Sequence, residues 1–104
     1  MRKVLIVDDE ASIRNGLPLI IDWECLGYQI VGSAENGEDG LAMIRELKPD
    51  VVIADIRMPG KNGLEMVQAA SEEGLLFFAI ILSGYSDFDY AKQALQLGAV
   101  TYLL

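Results

Sequence analysis

A chain of 104 residues that is 52% hydrophobic can fold as one small domain and leaves little length for a second. Its formal net charge of −8, from 16 acidic and 8 basic residues, argues against direct nucleic-acid binding by this segment, because gripping a phosphate backbone takes clustered Lys and Arg. The absence of histidine removes Ser-His-Asp and Cys-His catalysis and the commonest zinc ligand.

The first apolar run, Lys3 to Val7, reads as a short buried strand and ends in Asp8-Asp9-Glu10. A helix follows with Ile13, Leu17, Ile20 and Ile21 on one face and Ser12 as its candidate cap. Gly16 and Pro18 interrupt it. A proline in a helix interior costs about 3 kcal/mol unless the backbone adapts, so the pattern predicts a kink, or a short first piece with Pro18 opening a second. The second strand is expected at Gln29 to Ala34. After the Asn36-Gly37 turn a second helix presents Leu41, Ile44 and Leu47, and Pro49 stops it. A third strand covers Val51 to Ala54 and delivers Asp55 to its carboxyl end. The loop Ile56-Arg57-Met58-Pro59-Gly60-Lys61-Asn62-Gly63 then leads into a third helix that uses Leu64 and Val67 and frays towards Gly74. A fourth strand is expected at Phe77 to Leu82. The fourth helix starts at Ser86-Asp87-Phe88-Asp89, buries Phe88, Ala91 and Leu95 and ends at Gly98, and a fifth strand covers Val100 to Leu104.

This alternation of strand and helix predicts an α/β domain, a parallel sheet with helices on both faces, and the strands are apolar on consecutive residues because both of their faces are buried. The longest unbroken apolar run, Leu75 to Leu82, is far short of the roughly 20 residues of a spanning helix, and the amino terminus shows no signal-peptide pattern. A cytoplasmic location without membrane contact is the expectation. The lone Cys25 cannot form an internal disulfide and is expected to pack as a small buried hydrophobe, with no chemistry assigned to it.

Two of these strands end in carboxylates. If they are neighbours in a parallel sheet their ends lie about 5 Å apart, and Asp8, Asp9 and Asp55 converge where open α/β sheets bind ligands. Two charges about 4 Å apart repel by roughly 4 kcal/mol at an effective dielectric of about 20, so the group calls for a cation. Hard oxygen ligands, few in number and with room for water, suit Mg²⁺.

Val7-Asp8-Asp9-Glu10, the Asp55 to Gly63 loop, Ser83-Gly84 after an apolar run, and Tyr102-Leu103-Leu104 together resemble the receiver domain of two-component response regulators, in order along nearly the whole chain. Ile21-Asp22-Trp23-Glu24 with Gly27-Tyr28, and Ser83 through Ala91, resemble more narrowly the receivers fused to AraC-type helix-turn-helix regulators. The resemblance implies a doubly wound, flavodoxin-like five-stranded sheet in the order 2-1-3-4-5. It also implies that Asp55 is a nucleophile that takes a phosphoryl group from the phosphohistidine of a sensor histidine kinase, an acceptor role and not that of an enzyme. Mg²⁺ would be held by Asp9, Asp55 and the backbone carbonyl of Arg57, with Asp8 acting largely through water. Ser83 would bind a phosphoryl oxygen, and Tyr102 would be the switch aromatic that turns inward with the Ser83 loop. Pro59 and Gly63 would shape the loop, and the side chains of Lys61 and Arg57 are expected to be solvated.

Receivers continue past this point with a Lys-Pro pair and a fifth helix, so residues 1–104 read as a receiver domain cut before both, with its output domain beyond residue 104. Slow phosphoryl transfer is the expectation for such a piece. An apolar face near Val4, Ile80 and Val100 to Leu104 would lose cover, which predicts a homodimer through edge pairing or element exchange, or reduced stability. A pseudo-receiver that signals through protein contacts without phosphate is the binding-class rival. A flavin carrier would need a Ser/Thr-rich phosphate loop after the first strand. An aspartyl-phosphate phosphatase would need Asp-x-Asp where this chain has Asp55-Ile56-Arg57.

Overall fold

A computed structural model describes residues 1–56, 58 and 60–82, the last of these as backbone alone, and the backbone of residues 101–103. The elements run β1 (Arg2–Val7), α1 (Ala11–Ile20), β2 (Tyr28–Ala34), α2 (Gly37–Leu47), β3 (Val51–Asp55), α3 (Gly63–Glu72), β4 (Phe78–Leu82) and β5 (Thr101–Leu103). All strand pairs are parallel and the order is β2-β1-β3-β4-β5, as the family resemblance implies. The expected fourth helix, with Phe88, Ala91 and Leu95, lies outside the described residues.

Register decides which side chains share a face. Leu5 pairs with Val52 and Val52 with Ala79, while Val7 pairs with Ala54 and Ala54 with Ile81. These residues are buried in one cluster with Leu41 and Ile44 of α2 and Leu64, Met66, Val67 and Ala70 of α3. The alternate positions Val4, Ile6 and Ile53 are buried too, on the opposite face. A strand with both faces covered needs apolar residues in succession, which is the run seen in β1 and β3. Right-handed crossovers place α1 on that second face, because the step from β1 to β2 runs opposite to the step from β2 to β3.

Local chemistry sets the helix ends. Asn36 caps α2, its side chain accepting from Asp39 N at 2.8 Å, and Glu38 and Asp39 stand in the first turn where the helix dipole favours negative charge. Lys48, with φ of 48°, ends α2 in the left-handed conformation and its N–H donates to the Ile44 carbonyl at 3.0 Å. Asn62 and Glu65 form a reciprocal capping box on α3, at 2.8 and 3.2 Å. The Asn-x-x-Glu spacing carries that signal in the sequence, and it was not drawn on there. Past the end of α3, Glu73 accepts a two-pronged bond from Arg45 of α2, at 2.7 and 2.6 Å, which ties the two helices together at the surface.

The first helix departs from expectation. It is a single ten-residue helix with Pro18 inside it, Glu10 occupies the cap position without a side-chain bond, and Ser12 lies within the first turn. Only three residues run from Pro18 to the end, too few to nucleate a second helix, and a proline in the last turn removes a single hydrogen bond. Where the helix ends, the Trp23 indole N–H donates to the Leu17 carbonyl at 3.1 Å and satisfies a group that the termination strands. Of the predicted apolar face, Ile13, Leu17 and Ile21 are half-buried and Ile20 is exposed. Cys25, expected to be buried, is exposed. It belongs to the surface turn after α1, where its backbone N–H donates to the Asp22 side chain at 3.2 Å, and a turn of that kind has no core to offer.

Ile44 is 1% exposed within the cluster between α2 and the sheet. Ile44→Ala is expected to cost about 2–5 kcal/mol of unfolding free energy, and Asn62→Ala about 1 kcal/mol through loss of the cap. Urea melts measure both, and a smaller loss for Ile44→Ala than for Asn62→Ala would contradict this picture of the core.

Candidate functional site

The β1–β3 register places Val7 beside Ala54, so the residues that follow, Asp8 and Asp55, leave the sheet side by side at its carboxyl end. Asp9 is next in the chain. One carboxylate oxygen from each of Asp8, Asp9 and Asp55 lies within 4.8 Å of the other two, which is the convergence that the strand reading predicted. Asp8 is buried, Asp55 half-buried and Asp9 exposed, so the cluster runs from the protein interior to solvent.

Asp8 and the backbone that carries Asp55 are held by their surroundings. Asp8 N–H donates to the Ala34 carbonyl of β2 at 3.0 Å, and an Asp8 carboxylate oxygen accepts from Glu10 N–H at 2.9 Å. Burial raises the Asp8 pKa above the usual aspartate range. The bond from Glu10 N–H opposes that rise, and the neighbouring charges of Asp9 and Glu10 add to it. Asp55 is fixed by what comes after it. Ile56 and Met58 are buried, which anchors the loop in the core, and Gly63 N–H donates to the Ile56 carbonyl at 2.9 Å. A Cβ on Gly63 would collide with the Asp55 backbone carbonyl, so only glycine lets the start of α3 close on the end of β3. Gly37 at the start of α2 donates its N–H to the Lys61 carbonyl at 3.2 Å and buttresses the same loop, and Lys61, expected to be solvated, is half-buried there.

Three carboxylates without histidine or thiol in reach form a hard oxygen donor set, and a divalent cation would offset both the repulsion among them and the cost of burying Asp8. The residues present therefore fit Mg²⁺ or a cation of similar hardness. Of the other predicted site residues, Arg57, Pro59 and Ser83 lie outside the described residues. The Tyr102 backbone belongs to β5 and pairs with Ile81. Sequence reasoning overlooked Arg14. Its guanidinium donates to the Asp8 backbone carbonyl at 2.8 Å and approaches Glu35 at 3.9 Å. A cation at the end of a first helical turn, where the dipole disfavours positive charge, is the signal that could have found it.

The comparisons with known proteins point one way. A family model described as the response regulator receiver domain matches residues 4–104. The uncharacterised transcriptional regulatory protein YesN of Bacillus subtilis is 41% identical over the whole chain, which spans 28% of that protein. The transcriptional regulatory protein HptR of Staphylococcus aureus is also 41% identical, and the chain spans 40% of it. The solved receiver domain of AraT, a response regulator from Geobacillus stearothermophilus, superposes with a TM-score of 0.90 at 39% identity, covering 99% of this chain and 80% of that one.

The sign of the Asp8 shift gives a test. A carboxyl whose pKa is raised by folding contributes stability that is complete below its unfolded value, about 3.9, and is lost as pH rises through the folded value. In EDTA at neutral pH, Asp8→Asn is therefore expected to be more stable than wild type, and the advantage should fade as the pH falls into the range where Asp8 is protonated. Urea midpoints across that range measure it. A less stable Asp8→Asn at neutral pH would show that burial is not the controlling influence.

Proposed function

The chain belongs to the response regulator receiver domain family, and from that premise we propose that it is a phosphoacceptor switch in which Asp55 takes a phosphoryl group from the phosphohistidine of a sensor histidine kinase. An Asp55 carboxylate oxygen forms a bond to phosphorus as the phosphorus–nitrogen bond breaks, and the imidazole leaves with the electron pair and is protonated by solvent. Because such transition states are loose, with charge spread over three equatorial oxygens, the protein contributes mainly position and counter-charge. The observation that supports this most is the convergence of Asp8, Asp9 and Asp55 at the sheet end, in a loop whose geometry Gly63 fixes at the Asp55 carbonyl.

Asp9, Asp55 and the Arg57 carbonyl would hold Mg²⁺, with Asp8 acting through water, and the ion would supply counter-charge to the phosphoryl oxygens. Ser83, next after the β4 residue Leu82 that pairs with Asp55, is the proposed phosphoryl ligand, and Tyr102 the proposed switch aromatic. The chain spans 28% of the length of YesN and 40% of that of HptR, both named as transcriptional regulatory proteins. We assign an output of that kind, of the AraC type, on the narrower resemblance around Trp23 and Ser83. A cytoplasmic setting follows from the partnership with a histidine kinase, and among the described residues no helix is long and apolar enough to cross a membrane.

Acetyl phosphate and Mg²⁺ are expected to add one phosphoryl group to the native protein, mapped by mass spectrometry to Asp55, and Asp55→Ala should abolish the gain. Label on Asp8 or Asp9 would overturn the assignment, and no label at all would favour the pseudo-receiver reading. Separately, Mg²⁺ should raise the thermal midpoint, because a ligand that prefers the folded state stabilises it by mass action, and Asp9→Asn should shrink the rise. Equal wild-type midpoints with and without Mg²⁺ would remove the metal from the mechanism.

A further inference from the structure

Arg14 stands next to the acidic cluster, against the backbone that carries Asp8 and Asp9. Its guanidinium Nη1 donates to the Asp8 backbone carbonyl at 2.8 Å, and Nη2 lies 3.9 Å from a Glu35 carboxylate oxygen. The side chain is 19% exposed, whereas that of Glu35 is 68% exposed. Two further bonds complete the arrangement. Arg14 N–H donates to the Glu10 carbonyl at 3.2 Å, and Asp8 N–H donates to the carbonyl of Ala34, the residue before Glu35. The segment from Asp8 to Arg14 is thus closed on itself by the side chain and the backbone of Arg14, and is joined to the end of β2 at both Ala34 and Glu35. Asp9 lies inside that closed segment, between a residue pinned at its N–H and its carbonyl and a residue whose N–H is held by the Asp8 carboxylate.

We infer that Arg14 is a positioning residue for the cation site: by fixing the Asp8–Asp9 peptide through the Asp8 carbonyl, it holds the two amino-proximal carboxylates in the geometry that binds metal. The inference rests on the reading of the Asp8, Asp9 and Asp55 cluster as a cation site. Two physical effects of this guanidinium oppose each other. As a positive charge beside the site it repels a divalent cation, so charge alone would make its removal tighten binding. As the clamp on the ligand-bearing backbone it restricts the carboxylates to a productive arrangement, so its removal loosens binding, and partners of this outer kind commonly change metal affinity by about 10–100-fold. The short bond to the carbonyl and the burial of the side chain favour the clamp. The Glu35 contact supports it further, because it offsets the charge while fixing the direction of the fork.

Titration of the native protein with Mg²⁺ alone, followed by calorimetry, separates the outcomes. If wild type binds no Mg²⁺, the cation-site reading fails and this inference fails with it. If wild type binds, Arg14→Met, which keeps the stem and removes charge and donors, is expected to weaken Mg²⁺ about ten-fold, and Arg14→Lys, which keeps one donor, to recover part of the loss. Unchanged or tighter binding in Arg14→Met overturns the inference, and tighter binding would identify the arginine as a charge barrier. In metal-free buffer, amide exchange at Asp9 and Glu10 should quicken in Arg14→Met, which a role confined to global packing would not single out. Should Arg14→Met not fold, Glu35→Gln at an exposed position is the second variant: a smaller loss of Mg²⁺ affinity in the same direction supports the clamp, and wild-type affinity in that variant overturns it.

Discussion

The parallel pairing of β1 with β3, with Val7 beside Ala54, is the constraint on which the rest of this molecule depends. It brings Asp8 and Asp55 to the same end of the sheet, and no rearrangement of side chains could separate them while the strands stay paired. A shift of β1 by one residue would turn Leu5 and Val7 away from α2 and α3 and put Val4 and Ile6 in their places, so the close packing of the core also holds the charges together. The repulsion among the carboxylates is thus opposed by hydrophobic burial. That burial is worth roughly 25 cal/mol per Å² of apolar surface and is spread over the whole domain, whereas the repulsion is local.

The second constraint is the fit of backbone to backbone around Asp55. Gly63 lies against the Asp55 carbonyl, Gly37 lies against the Lys61 carbonyl, and Ile56 and Met58 anchor the intervening loop in the core. Two helix starts, α2 and α3, therefore press on one loop. The capping of both by asparagine, Asn36 and Asn62, fixes where those helices begin and so where the glycines fall. Loop shape and helix start are a single feature here, and the end of β3 is placed by both.

The amino-proximal side of the cluster is built differently. Asp8 is buried with its carboxyl shifted upward, and its backbone is tied on one side to Ala34 and on the other to Arg14. A buried like-charged neighbour is tolerated when the surrounding bonds leave it no better place, and the counter-charge that the site lacks in its own donor set is what a hard cation brings. This gives the acidic cluster two supports of unlike kind: close glycine packing behind Asp55, and a guanidinium clamp behind Asp8.

Much of this was legible in the sequence, since continuous apolar runs ending in carboxylates carry both the buried strands and the charges at their ends. The observed strands agree with the runs to within a residue at each described end, and the strand order implied by the resemblance holds. The α1 region was read less well. A proline suggested two pieces, yet a break needs a second segment long enough to form a helix, and three residues are not. Cys25 was placed in the core by its chemical type, although the turn that carries it lies on the surface. Arg14 was overlooked because its partner is a backbone carbonyl: a cation in a first helical turn marks the position as unusual, but the residue pattern does not name its acceptor. Composition and periodicity determined the elements, the faces they bury and the chemical type of the site. Tertiary structure alone decided that Asp8, Asp9 and Asp55 fall within 4.8 Å and what holds them there, because those distances depend on register, glycine contacts and a side chain that reaches across two loops.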